Sequence, residues 1–247
     1  MSAGAHPVFE LRQYTLRPGQ RERLVELFER EFIEPQEALG ITLPGQFRDL
    51  DDADRFVWLR SFTDMQARAQ ALAAFYDGPV WRAHREQANA TMLDSDDVLL
   101  LRPLRGFALA GLERPAPGER ASAGLLTATI CPLEAAQANV LARDFDGQVR
   151  PRLERHGAQV LAAFVTEPAR NNFPRLPVRE GECVLVWFAA FADAAAQTEL
   201  EAAFARDPAI GAWIARLAAM PETLRLAPTP RSLLRGLPHA TPTPEPA

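Results

Sequence analysis

Lysine does not occur in this chain of 247 residues, so every one of its 27 basic side chains is an arginine. With no lysine there is no amine for a Schiff base with pyridoxal phosphate or a carbonyl substrate, and no Walker-type lysine for a nucleotide phosphate. Cysteine is nearly absent too. Cys131 and Cys183 have no CxxC partner and sit in strand-like runs, where they read as small buried hydrophobes. The four histidines, His6, His84, His156 and His239, form no HxH or HExxH pair, so no metal site is expected. No apolar run approaches the roughly 20 residues that cross a bilayer. A net charge of -5 with no basic stripe argues against a nucleic-acid partner. The first ten residues lack the charged start and apolar run of a secretory signal, so a cytoplasmic protein without a disulfide is expected. The acidic turn at Asp49, Asp51, Asp52 and Asp54 fails as a calcium loop, with Asp54 where glycine and Arg60 where glutamate would be needed. No G-x-G-x-x-G, G-x-S-x-G or zinc-ribbon spacing occurs.

What the chain does contain is ordinary globular material, 47% hydrophobic and 24% charged, organised in a recurring pattern. Val8 to Thr15 alternates as a strand, and Gln20 to Leu39 has a helical stripe ended or kinked by Pro35. Ile41 to Asp49 and Arg55 to Phe62 read as strands, and Thr63 or Asp64 caps a helix reaching Phe75. Pro79 opens another helix, carrying Val80, His84 and Ala88 on one face past Met92, until Asp94-Ser95-Asp96 stops it before a short strand at Val98–Leu101. That order is a ferredoxin-like βαββαβ unit with one extra helix. Residues 111–124, rich in Gly, Pro and Ala, read as a linker.

The pattern then repeats. Leu125 to Cys131, Leu133 to Arg155, Ala158 to Thr166, Cys183 to Phe191, Asp193 to Phe204, a helix from Asp207-Pro208 and Glu222 to Ala227 follow in the same order. In the long helix Val140, Leu141, Phe145, Val149 and Leu153 are expected to point inward. An offset of 129 residues lays Trp58 on Trp187, Phe62 on Phe191, Asp64 on Asp193, Phe75 on Phe204 and Pro79 on Pro208. The expected fold class is α+β: tandem ferredoxin-like repeats (βαββααβ twice, residues 1–110 and 125–235) forming an intramolecular dimeric α+β barrel. A disordered tail is expected over 236–247.

Alternation puts Phe9 and Leu11 on one face of the first strand, assigned to the helices, and Glu10, Arg12 and Tyr14 on the other, assigned to the barrel interior with Phe56, Trp58, Arg60 and Phe62. The matching row of the second half is Leu126, Ala128 and Ile130, with Ala189 opposite Arg60. The polar set therefore belongs to one half. It is either a structural ion-pair knot or the lining of a cavity. His84 is either a hydrogen-bonded core residue or a catalytic base. Arg85 and Asn89 lie one turn apart beside it. The 15-residue stretch Glu167 to Gly181 has no periodicity, and its Asn171, Asn172, Arg175 and Arg179 are candidates for holding a carboxylate or phosphate.

VFELRQYTLRPG, GQFRDLDDADRFVWLRSF and GPVWRAHREQANATMLDSDDVLLLRP resemble the NIPSNAP family in its bacterial branch, and NNFPRLPVREGE is similar to that branch as well. The resemblance implies a dimeric α+β barrel and names no catalytic residue. Within the wider superfamily, haem-binding peroxidases and haem-degrading or cofactor-independent monooxygenases share the fold, which is analogy only. The expected function is binding of a small, anionic molecule in a barrel-associated cavity, with Glu10, Arg12, Tyr14, Trp58, Arg60, Arg85, Asn89, Asn171, Asn172 and Arg175 as candidate contacts. The alternatives are a cofactor-independent monooxygenase or isomerase with His84 as base, and haem binding through His84 or His156. The cofactor is unassigned, and self-association is left open.

Overall fold

The computed structural model describes residues 6–107, 113–119 and 124–235. The expected tail at 236–247 and residues 111–112 and 120–123 of the expected linker lie outside them.

The elements run β1 (Val8–Leu16), α1 (Arg21–Leu27), a π-helical turn (Phe28–Phe32), α2 (Ile33–Glu37), β2 (Thr42–Asp49), β3 (Arg55–Phe62), α3 (Met65–Tyr76), α4 (Pro79–Asn89) and β4 (Met92–Pro103). The same order follows in β5 (Leu125–Pro132), α5 (Ala138–Asp144), a π-helical turn (Phe145–Val149), α6 (Arg150–Arg155), β6 (Gln159–Thr166), β7 (Val184–Phe191), α7 (Ala194–Arg206), α8 (Pro208–Ile214) and β8 (Glu222–Pro228). Local chemistry explains the helix starts. Asp64 Oδ1 accepts from Ala67 N at 2.7 Å, Asp193 Oδ1 from Ala196 N at 2.9 Å, and Asp207 Oδ1 from Ala209 N at 2.8 Å. Pro79 and Pro208 stand at first helical positions, where no N–H is needed.

Eight antiparallel strands close into a barrel in the order β1-β3-β2-β8-β5-β7-β6-β4. The seams between the halves are β2 with β8 (Phe47 opposite Pro228) and β4 with β6 (Leu101 opposite Thr166), so closure needs no second chain. The interior is filled by apolar side chains from all eight strands, among them Phe9, Leu11, Phe47, Leu59, Phe164 and Phe188. Phe9 and Phe164 have ring centroids 4.8 Å apart. A side chain at Gly45 would put its Cβ 2.2 Å from the Phe47 ring, so the glycine lets that ring fold back along its own strand.

Three expectations about elements need correction. The helix bearing His84 stops at Asn89, and β4 begins at Met92, taking up the Asp94-Ser95-Asp96 run; the strand is fixed by pairing with β1, Leu16 opposite Met92 and Thr15 opposite Asp94 across a bulge. Of the two readings of Pro35, ending the helix is the wrong one, since the helix continues to Glu37; it is instead distorted by the wide π turn just before the proline, a usual accommodation where an amide donor is missing. Val140 is 41% exposed, while Leu141, Phe145, Val149 and Leu153 are buried as expected.

Candidate functional site

β1 is buried on both faces, and its two faces are the reverse of the sequence assignment. Phe9 and Leu11 point into the barrel. Glu10, Arg12 and Tyr14, with Phe56, Trp58, Arg60 and Phe62 of β3, point outward beneath the helices of the first half. The interior is packed with apolar side chains, whereas the layer between sheet and helices includes a helix able to supply another arginine.

Arg68, from the buried face of α3, completes a cluster that sequence reading missed. Glu10 Oε2 accepts from Arg12 Nη1 at 2.6 Å and from Arg60 Nε at 2.8 Å, and Glu10 Oε1 accepts from Arg68 Nε at 2.6 Å. Arg60 Nη2 also lies 2.6 Å from Glu10 Oε2, without hydrogen-bond geometry. All four side chains are at most 1% exposed. Arg12 Nε donates to Tyr14 Oη at 3.1 Å, and the guanidiniums of Arg12 and Arg60 lie over the Trp58 ring at 5.5 and 5.1 Å. Burial alone would raise the Glu10 carboxyl, but Arg60, Arg12 and Arg68 outweigh it and hold the group well below the usual carboxylate range. Burial instead prevails at Arg68, which is lowered in spite of Glu10, with Arg60 and Arg12 pushing the same way. The signal for Arg68 was available: it stands at i with Leu72 at i+4 and Phe75 at i+7, on the apolar stripe of its helix.

The second half holds a cavity in the corresponding layer. Its volume is about 150 Å³, and its walls include Trp187, Phe191, Leu200, Ile210 and Trp213. Thr127, Thr129 and Thr223 bring hydroxyls to it, and Gln197 and Glu201 flank it. Gln197 is held in place: its Oε1 accepts from Arg225 Nε at 3.2 Å and its Nε2 donates to Glu201 Oε1 at 2.7 Å. Phe145 stacks on Trp187, centroids 4.7 Å apart, and Val149 of the same π turn lines the cavity. The ladder explains why there is space. Thr127 faces Ala189 where Glu10 faces Arg60. The row equivalent to Glu10 and Arg12 is thus Thr127 and Thr129, while Leu126, Ala128 and Ile130 belong to the barrel interior. The matching space of the first half, lined by Tyr14, Phe28, Trp58, Tyr76 and Trp81, is only about 30 Å³, about one water's share of liquid volume.

The other sequence candidates scatter. His84 is partly exposed, with Nε2 3.4 Å from Glu31 Oε2 and its ring against Phe32, and it borders neither cavity. Arg85 and Asn89 are exposed on α4, and His156 is exposed after α6. Asn171 and Asn172 do reach the cluster, accepting from Arg68 Nη1 at 3.0 and 2.8 Å. Arg175 pairs at the surface with Asp77 at 2.8 Å, and Arg179 with Asp97 at 3.0 Å. Among the described residues no group of three metal-ligating side chains converges, and no helix is long and apolar enough to cross a membrane.

Comparison with known proteins gives a family match over part of the chain and a fold over nearly all of it. Residues 9–105 match the family model described as NIPSNAP. An anthrone oxidase-like protein is similar over 98% of this chain and 99% of its own, at 15% identity and a TM-score of 0.61. A candidate monooxygenase of Fusobacterium nucleatum is similar over 96% and 99%, at 10% identity and a TM-score of 0.62. A NIPSNAP-like domain protein of Burkholderia xenovorans is 26% identical over 46% of this chain and 93% of its own, with a TM-score of 0.37. No curated protein matches the chain.

Proposed function

We propose that this chain, whose residues 9–105 are a NIPSNAP domain, is a small-molecule binding protein built by internal duplication, with its ligand held in the second copy. The recurrence of the element order, down to a π turn in each long helix and a capping aspartate before α3 and α7, supports duplication into units 1–110 and 125–235. The observation that carries the binding role is the exchange of Glu10, Arg12, Arg60 and Arg68 for Thr127, Thr129, Ala189 and Gln197, together with the cavity of about 150 Å³ that accompanies it. An apolar space of about 150 Å³ accepts a single benzene-sized ring. Among the described residues its lining carries a carboxylate, Glu201, and no arginine, so the ligand is neutral rather than anionic, with one hydrogen-bonding group directed at the threonine hydroxyls. An enzymatic reading through His84, by analogy with the oxidase-like neighbours, has little support, because His84 reaches neither cavity. Haem ligation by His84 or His156 likewise has little support, because neither histidine lines either cavity.

The test is a thermal-shift screen of small aromatic alcohols and ketones, read also by the fluorescence of Trp187 and Trp213. Ligands should raise the Tm of the native chain and leave Ala189→Leu unmoved, because the added methyls occupy the cavity. Equal shifts in both proteins would reject the cavity as the binding site.

A further inference from the structure

Arg68 is the most unusual member of the charged cluster. Three guanidiniums share the single carboxylate of Glu10, which leaves an excess of two positive charges among side chains no more than 1% exposed. Tyr14, held neutral by burial, offsets none of it. Buried charge of one sign is costly unless a counter-charge reaches it. Glu10 takes the Nε side of Arg68, and the far edge of its fork meets only neutral partners. Nη1 donates to the carboxamide oxygens of Asn171 and Asn172, and Nη2 has no hydrogen-bond partner among the described residues. Arg60 Nη1 is likewise without one.

These two asparagines come from the irregular stretch between β6 and β7. Asn172 is exposed and Asn171 half-buried, so Arg68 lies one side chain below the surface. The stretch has anchors besides these amides: Phe173 is buried and stacks on Tyr76, and Arg179 N donates to Val98 O at 2.8 Å. Asn171 braces it too, its Nδ2 donating to Leu176 O at 2.8 Å and its Oδ1 accepting from Phe173 N at 3.0 Å, while Asn172 Nδ2 donates to Met65 O. Turning an amide away therefore exchanges these bonds for the anion's, and Asn172, exposed and held by one such bond, gives up less than Asn171. Two oxygens side by side against one guanidinium nitrogen occupy the place an oxyanion would take, without its charge.

We propose that Arg68, backed by Arg60, is the floor of a binding site for a small oxyanion, a carboxylate or a phosphate, and that Asn171 and Asn172 are a two-residue cover which the anion displaces. The oxyanion bonds the Nη1 and Nη2 edge of Arg68 and supplies the counter-charge that Glu10 alone does not. This site is separate from the second-half cavity and does not depend on what binds there.

Calorimetric unfolding of the full chain at neutral pH, in acetate or inorganic phosphate against chloride at matched ionic strength, tests it. A saturable rise in Tm is expected in acetate, in phosphate or in both, and which of them acts identifies the oxyanion. Arg68→Gln should fold, since glutamine stands at the equivalent Gln197, and should lose the rise. Asn172→Ala, which removes a competing oxygen, should tighten the apparent affinity by about three- to ten-fold. Ala189→Leu should leave the response intact, which separates this site from the cavity. The proposal is overturned if the native chain behaves alike in all three salts, or if Arg68→Gln keeps the saturable response. If Arg68→Gln does not fold, unchanged affinity in Asn172→Ala overturns it instead.

Discussion

Arg68 and Gln197 hold the same station in the two halves. Each is the fourth residue past a capping aspartate, and each backbone N–H donates to that aspartate's carbonyl, Arg68 to Asp64 at 3.0 Å and Gln197 to Asp193 at 3.3 Å. The arginine reaches Glu10 and closes the layer; the glutamine is turned aside by Arg225 and Glu201 and leaves the layer open. The same helix position thus accompanies a filled layer with a buried charge cluster in the first half and a cavity in the second.

The first prediction concerns Glu10. Glu10→Gln keeps the shape but strips the counter-charge from three buried guanidiniums, and should cost about 3–5 kcal/mol in denaturant unfolding. A loss below about 1 kcal/mol would mean that another group neutralises the arginines.

The same carboxyl governs stability in acid. Its folded pKa is depressed from 4.5, so its contribution is complete above the unfolded value and drains away as pH falls below it toward the folded one. Unfolding free energy should decline below about pH 4.5, and Glu10→Gln should flatten that decline. An acid limb of equal slope in both proteins would assign it to other carboxylates.

Much of this architecture is legible in the sequence, and the residues that are not have a common cause. Alternation shows that Glu10, Arg12 and Tyr14 share a face, but cannot say which face looks inward when both are buried, as on β1. The assignment of the charged face to the barrel interior had no residue to weigh against it on the helices. Arg68, read as part of a helix, was the missing partner that reverses it. The strand start at Met92 was hidden because Asp94 and Asp96 look like a stop, and only pairing with β1 makes them strand. The cavity could not be read at all, since it is a volume left by Ala189 and Thr127 rather than a motif.

The capping aspartates should act independently. Asp64→Ala and Asp193→Ala each remove an acceptor from a helix N-terminus, at 2.7 and 2.9 Å, and should each cost about 1 kcal/mol. They serve different helices in different halves, so the double variant should lose the sum within about 0.5 kcal/mol. A larger deviation in urea unfolding would show coupling between the halves.

His84→Ala tests the histidine read from the sequence as a candidate base. The side chain is 28% exposed and its contact with Glu31 is long, at 3.4 Å, so the change should cost no more than about 1 kcal/mol. It should leave the Tm response to cavity ligands unaltered. A lost response would restore His84 to the binding site.

The cysteines should separate cleanly by reactivity. Cys131 is fully buried among Leu141, Leu185 and Trp187, and burial pushes its thiol far above the ordinary value, so neither access nor ionisation favours attack. Cys183 is only half-buried, and its pKa is raised by burial against a counteracting hydrogen bond with Thr166. In the native protein a thiol-specific chromogenic reagent should therefore label at most Cys183, and slowly. Cys131 should become reactive only through unfolding, so the denaturant midpoint for its labelling should coincide with that for tryptophan fluorescence. Rapid native labelling of Cys131 would mean that the helix layer over β5 opens locally, and the closed core of the second half would have to be abandoned.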